Sequence, residues 1–401
     1  MKLKSLLLGS ATALVAVTGA RAADAVVVAE PEPVEYVRVC DTYGSGFFYI
    51  PGTETCLSIS GYVWYQVGAN GYENDFREVV VDGETVIRDQ SNDTPGYVGG
   101  RTGDGWIKST RARVNVESRS ETEWGTLRGM VRFQADWGGV TRATSTSLLG
   151  NPFNDGPVGI DQGWLALGGF QAGYTESAWA ASFRGGATNF GSHSWGGMYY
   201  GYAQRHQMSY TFFGGNGFFG TLSLEDDALS GDGYVPDVVA KVGVNQGWGS
   251  VWARFGWQDD ITNRPDFAGS GDRSGWGASL AAQINVPNSP GSSLRIFGYY
   301  ADSDTRFSSG SALGTAAEWS ILASYNQQFT ETLGVSVAGQ YFSNLYNKGT
   351  DIGSDRNAWG AELSAVWTPV TNFEVRPELH YDKVDDLDGT VSGFLRFTRY
   401  F

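Results

Sequence analysis

Residues 107–136 read IKSTRARVNVESRSETEWGTLRGMVRFQAD, two alternating runs joined by a polar turn. In the first run Arg111, Arg113, Asn115 and Glu117 fall on one side, with Ala112, Val114 and Val116 on the other. In the second, Arg128, Arg132, Gln134 and Asp136 oppose Leu127, Gly129, Val131 and Phe133. Successive side chains of an extended chain point to opposite faces, so a period of two predicts strands and not helices. A soluble sandwich would turn the apolar face to a core and the charged face to water. A membrane barrel inverts this, with apolar residues against lipid and charged ones around a watery lumen. The hairpin alone allows both. Repetition along the chain, and the address at its N-terminus, choose between them.

The address reads as export. Lys2 and Lys4 form a basic start, Leu6–Val17 is apolar, and Ala20-Arg21-Ala22 supplies a small-residue cleavage site. Residues 1–22 are therefore expected to be a signal peptide removed before Ala23. A membrane anchor fits less well, because the apolar run is too short to span. Cleavage removes Lys2, Lys4 and Arg21, which carries the formal charge from −15 to −18. Such an acidic chain repels nucleic acid, and that partner class is excluded. Beyond residue 22 the longest strictly apolar run is Ala25–Ala29, so no transmembrane helix is expected.

Mean hydropathy, −0.25, taken alone says soluble. Composition says otherwise: 56 glycines, 22 Phe, 20 Tyr and 14 Trp accompany only 2 Cys and 4 Met. Strand-rich, aromatic-rich exported chains of this kind look like transmembrane barrels, whose alternation hides apolar residues from any window average. At roughly 20–22 residues per strand with its connection, the stretch 57–401 has room for about 16 strands.

Taken in order, residues 23–56 are a lead-in, with two prolines and four acids before residue 37. Cys40 and Cys56 are expected to form a disulfide, worth roughly 3 kcal/mol in a chain-entropy treatment. Two thiols with no histidine nearby do not make a metal site, and no cofactor is expected. From Leu57 the alternation predicts strands over 57–67, 106–118, 124–136, 158–168, 170–177, 203–213, 217–226 and 237–246. A second eight follow over 249–258, 274–286, 293–302, 317–329, 333–343, 357–368, 372–383 and 390–401. Tight links such as GGNG (214–217), QGWG (246–249), TET (330–332) and PVT (369–371) alternate with long polar ones. The long ones are 68–105, 137–157, 178–202, 227–236, 259–273, 303–316, 344–356 and 384–389. Short periplasmic turns and long outward loops are the barrel arrangement.

Single strands repeat the two faces. Phe373, Val375, Leu379 and Tyr381 alternate with Glu374, Arg376, Glu378, His380 and Asp382. Trp359 and Trp367 bracket one apolar band, where aromatic girdles belong. Pro377 removes a ladder bond and predicts a bulge or kink. The chain closes on a strand whose Leu395, Phe397 and Phe401 share a side, the usual ending of an outer-membrane barrel.

At this point the sequence resembles the alphaproteobacterial porins of the rhizobial and Brucella type. The resemblance rests on KSLLLGS (4–10), VEYVRVCDTYGSGFFYIPGTETCLSISGYV (34–63), SRSETEWGTL (118–127) and FFGGNGF (212–218). GYVPDVV (233–239), QGWGS (246–250), RPEL (376–379) and the ending FLRFTRYF agree as well. It implies an outer-membrane homotrimer of 16-stranded β-barrels, among lipid and lipopolysaccharide, passing small hydrophilic solutes and ions. It also implies a third long loop folded into the barrel as a constriction. Here that loop is 178–202, which offers Glu176 at its base, then Arg184 and His193 among aromatics and glycines. Relatives often carry several acids there, and the departure bears on ion preference and pore tightness.

If that geometry holds, Arg111, Arg113, Arg128 and Arg132 line the lumen at mid-height, facing Glu176 and other loop groups. Arginine stays protonated, so such a wall is a fixed positive field, and charged rings at a constriction set which ions pass. Lumen charges that merely keep the interior wet are the other reading, and both stay open for these residues and for Arg184. Glu73, Asp75, Glu78, Asp82, Glu84, Asp89, Asp93 and Asp104 in the first long loop match no calcium-loop spacing. They suit a solvated surface, with a divalent-bridged lipopolysaccharide contact as the alternative. A hydrolase needs a base; His193, His206 and His380 carry no motif. His380 beside Asp382 is a possible pair without a nucleophile. A general-diffusion porin, not an enzyme, is the expected function. A sugar-specific channel built on Trp179, Phe183, Phe190 and Trp195 is the alternative.

Overall fold

Strands form because the polar and apolar faces of each run find different surroundings. In the computed structural model the described residues are 38–71, 76–81, 84–89, 107–138, 158–181, 191–195, 198, 201–226, 234–261, 274–310, 314–387 and 389–401. The expected signal peptide, 1–22, and Arg184 lie outside them. The strands are β1 (Phe47–Tyr49), β2 (Cys56–Gly71), β3 (Phe76–Val81), β4 (Glu84–Asp89), β5 (Ile107–Thr122), β6 (Gly125–Gly138) and β7 (Gly159–Leu167). Next come β8 (Phe170–Glu176), β9 (Gln204–Phe213), β10 (Phe218–Glu225), β11 (Asp237–Gln246), β12 (Gly249–Gln258) and β13 (Gly275–Asn285). The last are β14 (Ser293–Ala301), β15 (Ala317–Thr330), β16 (Leu333–Leu345), β17 (Ala358–Val370), β18 (Phe373–Val384) and β19 (Thr390–Tyr400).

Among the described residues β2 and β5 through β19 make a closed barrel of sixteen antiparallel strands. Closure comes from β19 pairing with β2, for example Leu395 with Val67, and β9 with β10, Thr211 with Thr221. No barrel edge is left unpaired, which a bilayer demands because it offers no water to satisfy open backbone groups. The tight turns sit together at one end. In the GGNG turn Asn216 and Gly217 take left-handed φ values of 57° and 76°. A Cβ on Gly217 would stand 1.9 Å from the Asn245 carbonyl oxygen, so glycine is required there.

The faces are inverted relative to a soluble protein. In β13 Leu280 is 63% exposed while its neighbours Ser279 and Ala281 are buried. In β17 Leu363 is exposed between buried Glu362 and Ser364. Outward aromatics pair across strands near the long-loop end: Trp359 with Tyr381 at 4.9 Å, Trp319 with Tyr341 at 5.7 Å and Trp276 with Tyr300 at 5.3 Å. Phe212, Phe218, Phe329 and Trp367 stand exposed on the outward face toward the other end, so both girdles are present.

Four expectations need correction. The first long connection holds a ribbon, β3 with β4, and β2 runs on to Gly71. The lead-in holds β1, which pairs with β2. Pro377 makes no bulge: β18 keeps its register with β19 there, Pro377 facing Leu395. Proline lies on the outward face and only interrupts the ladder to β17, whose register shift falls between Trp367 and Val370 instead. Finally, not every apolar residue faces lipid. Phe219, Val239, Trp252, Ala281, Phe297 and Leu322 cluster, buried, on the inner faces of β10 through β15. Alternation tells two faces apart but not what each face touches.

Candidate functional site in the barrel lumen

One side of the lumen is a charged wall. Register pairs Arg111 with Asp136, Arg113 with Gln134, Asn115 with Arg132 and Arg119 with Arg128, so all eight share the inner face of β5 and β6. Arg111 Nε donates to Asp136 Oδ1 at 2.6 Å, and Arg113 Nε to Gln134 Oε1 at 2.9 Å. Arg132 Nε donates to Asn115 Oδ1 at 3.0 Å. Glu117 accepts from both Arg119 (Nε, 2.9 Å) and Arg128 (Nε, 2.8 Å). Aromatic rings back the guanidinium groups: Trp64 lies 5.4 Å from Arg111, Tyr62 5.3 Å from Arg113 and Trp164 5.2 Å from Arg128. These paired side chains keep about a fifth of their surface open, 20% and 21% for Arg111 and Asp136.

Asp161 joins the wall through a bulge. The β6–β7 register steps from Arg132–Gln162 to Phe133–Ile160, leaving Asp161 as the extra residue. A bulge re-aims a side chain, and here the carboxylate reaches Arg132 at 3.4 Å and Arg113 at 3.6 Å. Glu176, last in β8, lies within electrostatic reach of Arg132, Arg113, Asp161 and Lys241. Of the residues singled out from sequence, Arg111, Arg113, Arg132 and Glu176 thus come together. Arg128 stands one step away, around Glu117.

The other side is filled with protein. Trp179 is buried 5.5 Å from Phe307, and its carbonyl accepts from Arg254 Nη1 at 2.5 Å. Ala178 N donates to Glu225 Oε1 at 2.8 Å, and Lys241 Nζ donates to the Ala181 carbonyl at 2.6 Å. Further on, His193 Nδ1 meets Ser324 Oγ at 2.7 Å and its Nε2 meets Ser293 Oγ at 2.8 Å. Ser194 Oγ donates to Glu362 Oε2 at 2.7 Å and Trp195 N to Glu378 Oε1 at 2.7 Å. Arg295 donates to the Ser192 carbonyl. The Arg396 guanidinium packs 3.6 Å from the Trp195 ring centre.

A second connection, expected as an outward polar loop, does the same. Arg306 bonds two fully buried carboxylates, Asp237 at 2.7 Å and Glu225 at 3.1 Å. Thr305 Oγ1 and Arg306 N both donate to Gln258 Oε1, at 2.9 and 3.0 Å. Phe307 sits over Gly256 and Gly277, where a Cβ would lie 2.2 Å from its ring and 1.7 Å from its carbonyl oxygen. Sequence reasoning missed Asp161, Arg306 and Arg396. The last carried the inward parity of β19 and was findable; the first two depend on a bulge and on a loop's path.

His380 does not pair with Asp382 in the manner of a base and its carboxylate. Its nearest acids are Glu378 at 3.4 Å and Glu362 at 3.7 Å, the carboxylates that accept from Ser194, Trp195 and Met198. Cys40 and Cys56 do form a disulfide.

Known proteins agree with this architecture. The Porin subfamily matches residues 24–393. Porin Omp2b of Brucella suis biovar 1 is 31% identical, and the alignment covers all of both chains. Porin Omp2b of Brucella canis is likewise 31% identical with full coverage of both. Among solved structures, the outer membrane channel DcaP of Acinetobacter baumannii superimposes with a TM-score of 0.58 at 16% identity, covering 88% of this chain and 99% of that one. The anion-selective porin of Comamonas acidovorans gives 0.55 at 10% identity, covering 87% and 100%. Those two likenesses speak to the fold alone. With the inverted closed barrel, its charged lumen and full-length relatives in hand, this chain belongs to the Porin subfamily and is an outer-membrane β-barrel channel of a Gram-negative bacterium.

Proposed function

We propose that the channel is a general-diffusion pore whose narrow section lies between the segment 178–202 and the arginine wall. The observation that carries this is the division of the lumen. Residues 178–181, 192–195 and 305–307 bond to the inner faces of β10 through β18 and occupy that side. Arg111, Arg113, Arg119, Arg128 and Arg132, with Glu117, Asp136 and Asp161, keep water-accessible surface on β5 through β7. Solutes and ions then pass beside a ladder of partly paired charges. Opposed charges across a narrow, wet section bias ion passage without binding any one solute tightly. Arg128 acts below the narrowest point, Glu176 at the base of the loop, and Arg184 within it. A homotrimer among outer-membrane lipid and lipopolysaccharide is the working assembly, and no catalysis is assigned to it.

Purified protein inserted into a planar bilayer should give conductance steps, commonly grouped in threes. A correctly inserted but silent protein would refute the pore. One observation favours a sugar-specific channel: the Trp195 ring is half-exposed beside Arg396. Trp179, in contrast, is buried and offers no stacking face. Liposome swelling separates the two readings. Uptake that declines smoothly with solute mass supports general diffusion, and one sugar far outpacing its isomers supports the alternative.

A further inference from the structure

The end of the barrel with the tight turns carries a feature that the pore has not yet used. Cys56 opens β2 and pairs with Arg119, and Ser58 pairs with Glu117. Residues paired across antiparallel strands share a face. Arg119 and Glu117 face the lumen, since Glu117 also binds Arg128. The Cys56 side chain therefore points inward, and the disulfide brings Cys40 to the same side, where both sulfurs are buried. β1 continues the argument. Phe47 pairs with Ser58 and Tyr49 with Cys56, so both rings face inward, while Phe48, opposite Leu57, faces outward.

The contacts follow the parity. Arg119 lies 4.6 Å from the Phe47 ring centre and 5.7 Å from that of Tyr43, and those two rings are 5.8 Å apart. Arg38 covers Tyr49 at 4.3 Å. Cys40 N donates to the Phe47 carbonyl and Ile50 N to the Thr55 carbonyl, both at 2.9 Å, so the segment is a closed, hydrogen-bonded ring. It has room because β19 stops at Gly61, where Phe401 makes the last ladder bonds to β2. Below that point β1 takes the vacated edge.

We propose that the disulfide-closed segment Cys40–Cys56 is a second filter of the channel, a rim at the periplasmic mouth. Phe47, Tyr43 and Tyr49 narrow that mouth with ring faces, and the first two cover part of the Arg119 guanidinium and reduce its reach to passing anions. The rim lies at the opposite end of the pore from the long loops and does not depend on which residues of 178–202 form the constriction. The oxidising periplasm keeps its bond closed.

A staple that only stabilised the barrel end would leave conductance alone, so conductance is the measurement. Phe47→Ala, its outward control Phe48→Ala, and the wild-type channel reduced in place by a membrane-impermeant phosphine are compared in planar bilayers. Thiol alkylation of the recovered protein reads the extent of reduction. Phe47→Ala and reduction should each raise single-channel conductance by some tens of per cent. Phe47→Ala should also move the reversal potential toward anions, and Phe48→Ala should change neither. Wild-type conductance in both the Phe47→Ala and the reduced channels, or an equal rise in Phe48→Ala, overturns the rim. If Phe47→Ala fails to insert, the reduced wild-type channel decides alone.

Discussion

Arg111 and Arg113 are held by what stands across from them: Asp136 at 2.6 Å for the first, Gln134 at 2.9 Å and Asp161 at 3.6 Å for the second. Pairs this open to solvent contribute little to stability, because water screens them and rotamer entropy opposes them. Their field at the wall is another matter, since it acts on every ion that passes close by. Replacing both by alanine strips two positive charges and leaves Asp136 and Asp161 facing the path with Arg132. The Arg111→Ala, Arg113→Ala channel should shift its reversal potential toward cations in a KCl gradient, while the matching lysine pair holds the wild-type value. An unmoved potential would put these arginines away from the narrow section. Their inward placement was legible from alternation, because parity survives wherever a strand runs without interruption. Asp161 was not. Its parity changes at the bulge opposite Arg132, and nothing in the letters Ile160-Asp161-Gln162 announces one.

Between strands, the seat of residues 192–195 turns on one ring. Both His193 nitrogens are engaged, by Ser324 and Ser293, and burial with the nearby Arg295 pushes its pKa from 6.5 down to about 3. Freed into water the ring would titrate normally, so the seated form binds fewer protons than the released one. Above pH 6.5 neither form is protonated and seating is unaffected; between 6.5 and 3 acid progressively favours release. Closures and substates in bilayer recordings should therefore become more frequent as pH falls below the ordinary histidine value. Glu362 and Glu378 hold the neighbouring Ser194 and Trp195, and His193→Gln isolates the ring from them: that variant should lack the onset near 6.5. An unchanged onset would mean that His193 does not govern the seat. Connection lengths told which loops were long, since hairpin and loop lengths are written directly in the chain. That residues 178–181 and 192–195 bond to Glu225, Glu362 and Glu378 on the barrel strands could not be read from lengths, and neither could the contacts of 305–307 with Gln258, Asp237 and Glu225. There the signals are Gly256 and Gly277, small residues on distant strands that make room for Phe307.

For the molecule as a whole, alternation predicted sixteen strands and two faces, and it did so because a bilayer leaves one closed solution for an outer-membrane chain whose longest strictly apolar run past residue 22 is Ala25–Ala29. It did not tell that the interior is unequal. Phe219, Trp252, Phe297 and Leu322 keep inward parity, yet they bury against one another and the inserted segments, while Arg132 and Gln134 look onto water. Three environments are thus expected where a simple tube has two. The only cysteines of the sequence are joined in the disulfide, so single-cysteine nitroxide labels can be placed cleanly. Labels at Phe133 and Leu280, both exposed on the outer face, should relax with membrane-dissolved oxygen and ignore an aqueous paramagnetic reagent. A label at Gln134, one residue from Phe133, should do the reverse. One at Ser279, inward on the filled side and 5% exposed, should respond weakly to both. If Ser279 proves as accessible to the aqueous reagent as Gln134, the lumen is evenly open and solutes are not confined to the arginine wall. If Phe133 and Leu280 answer to the aqueous reagent, the two faces of the barrel have been exchanged.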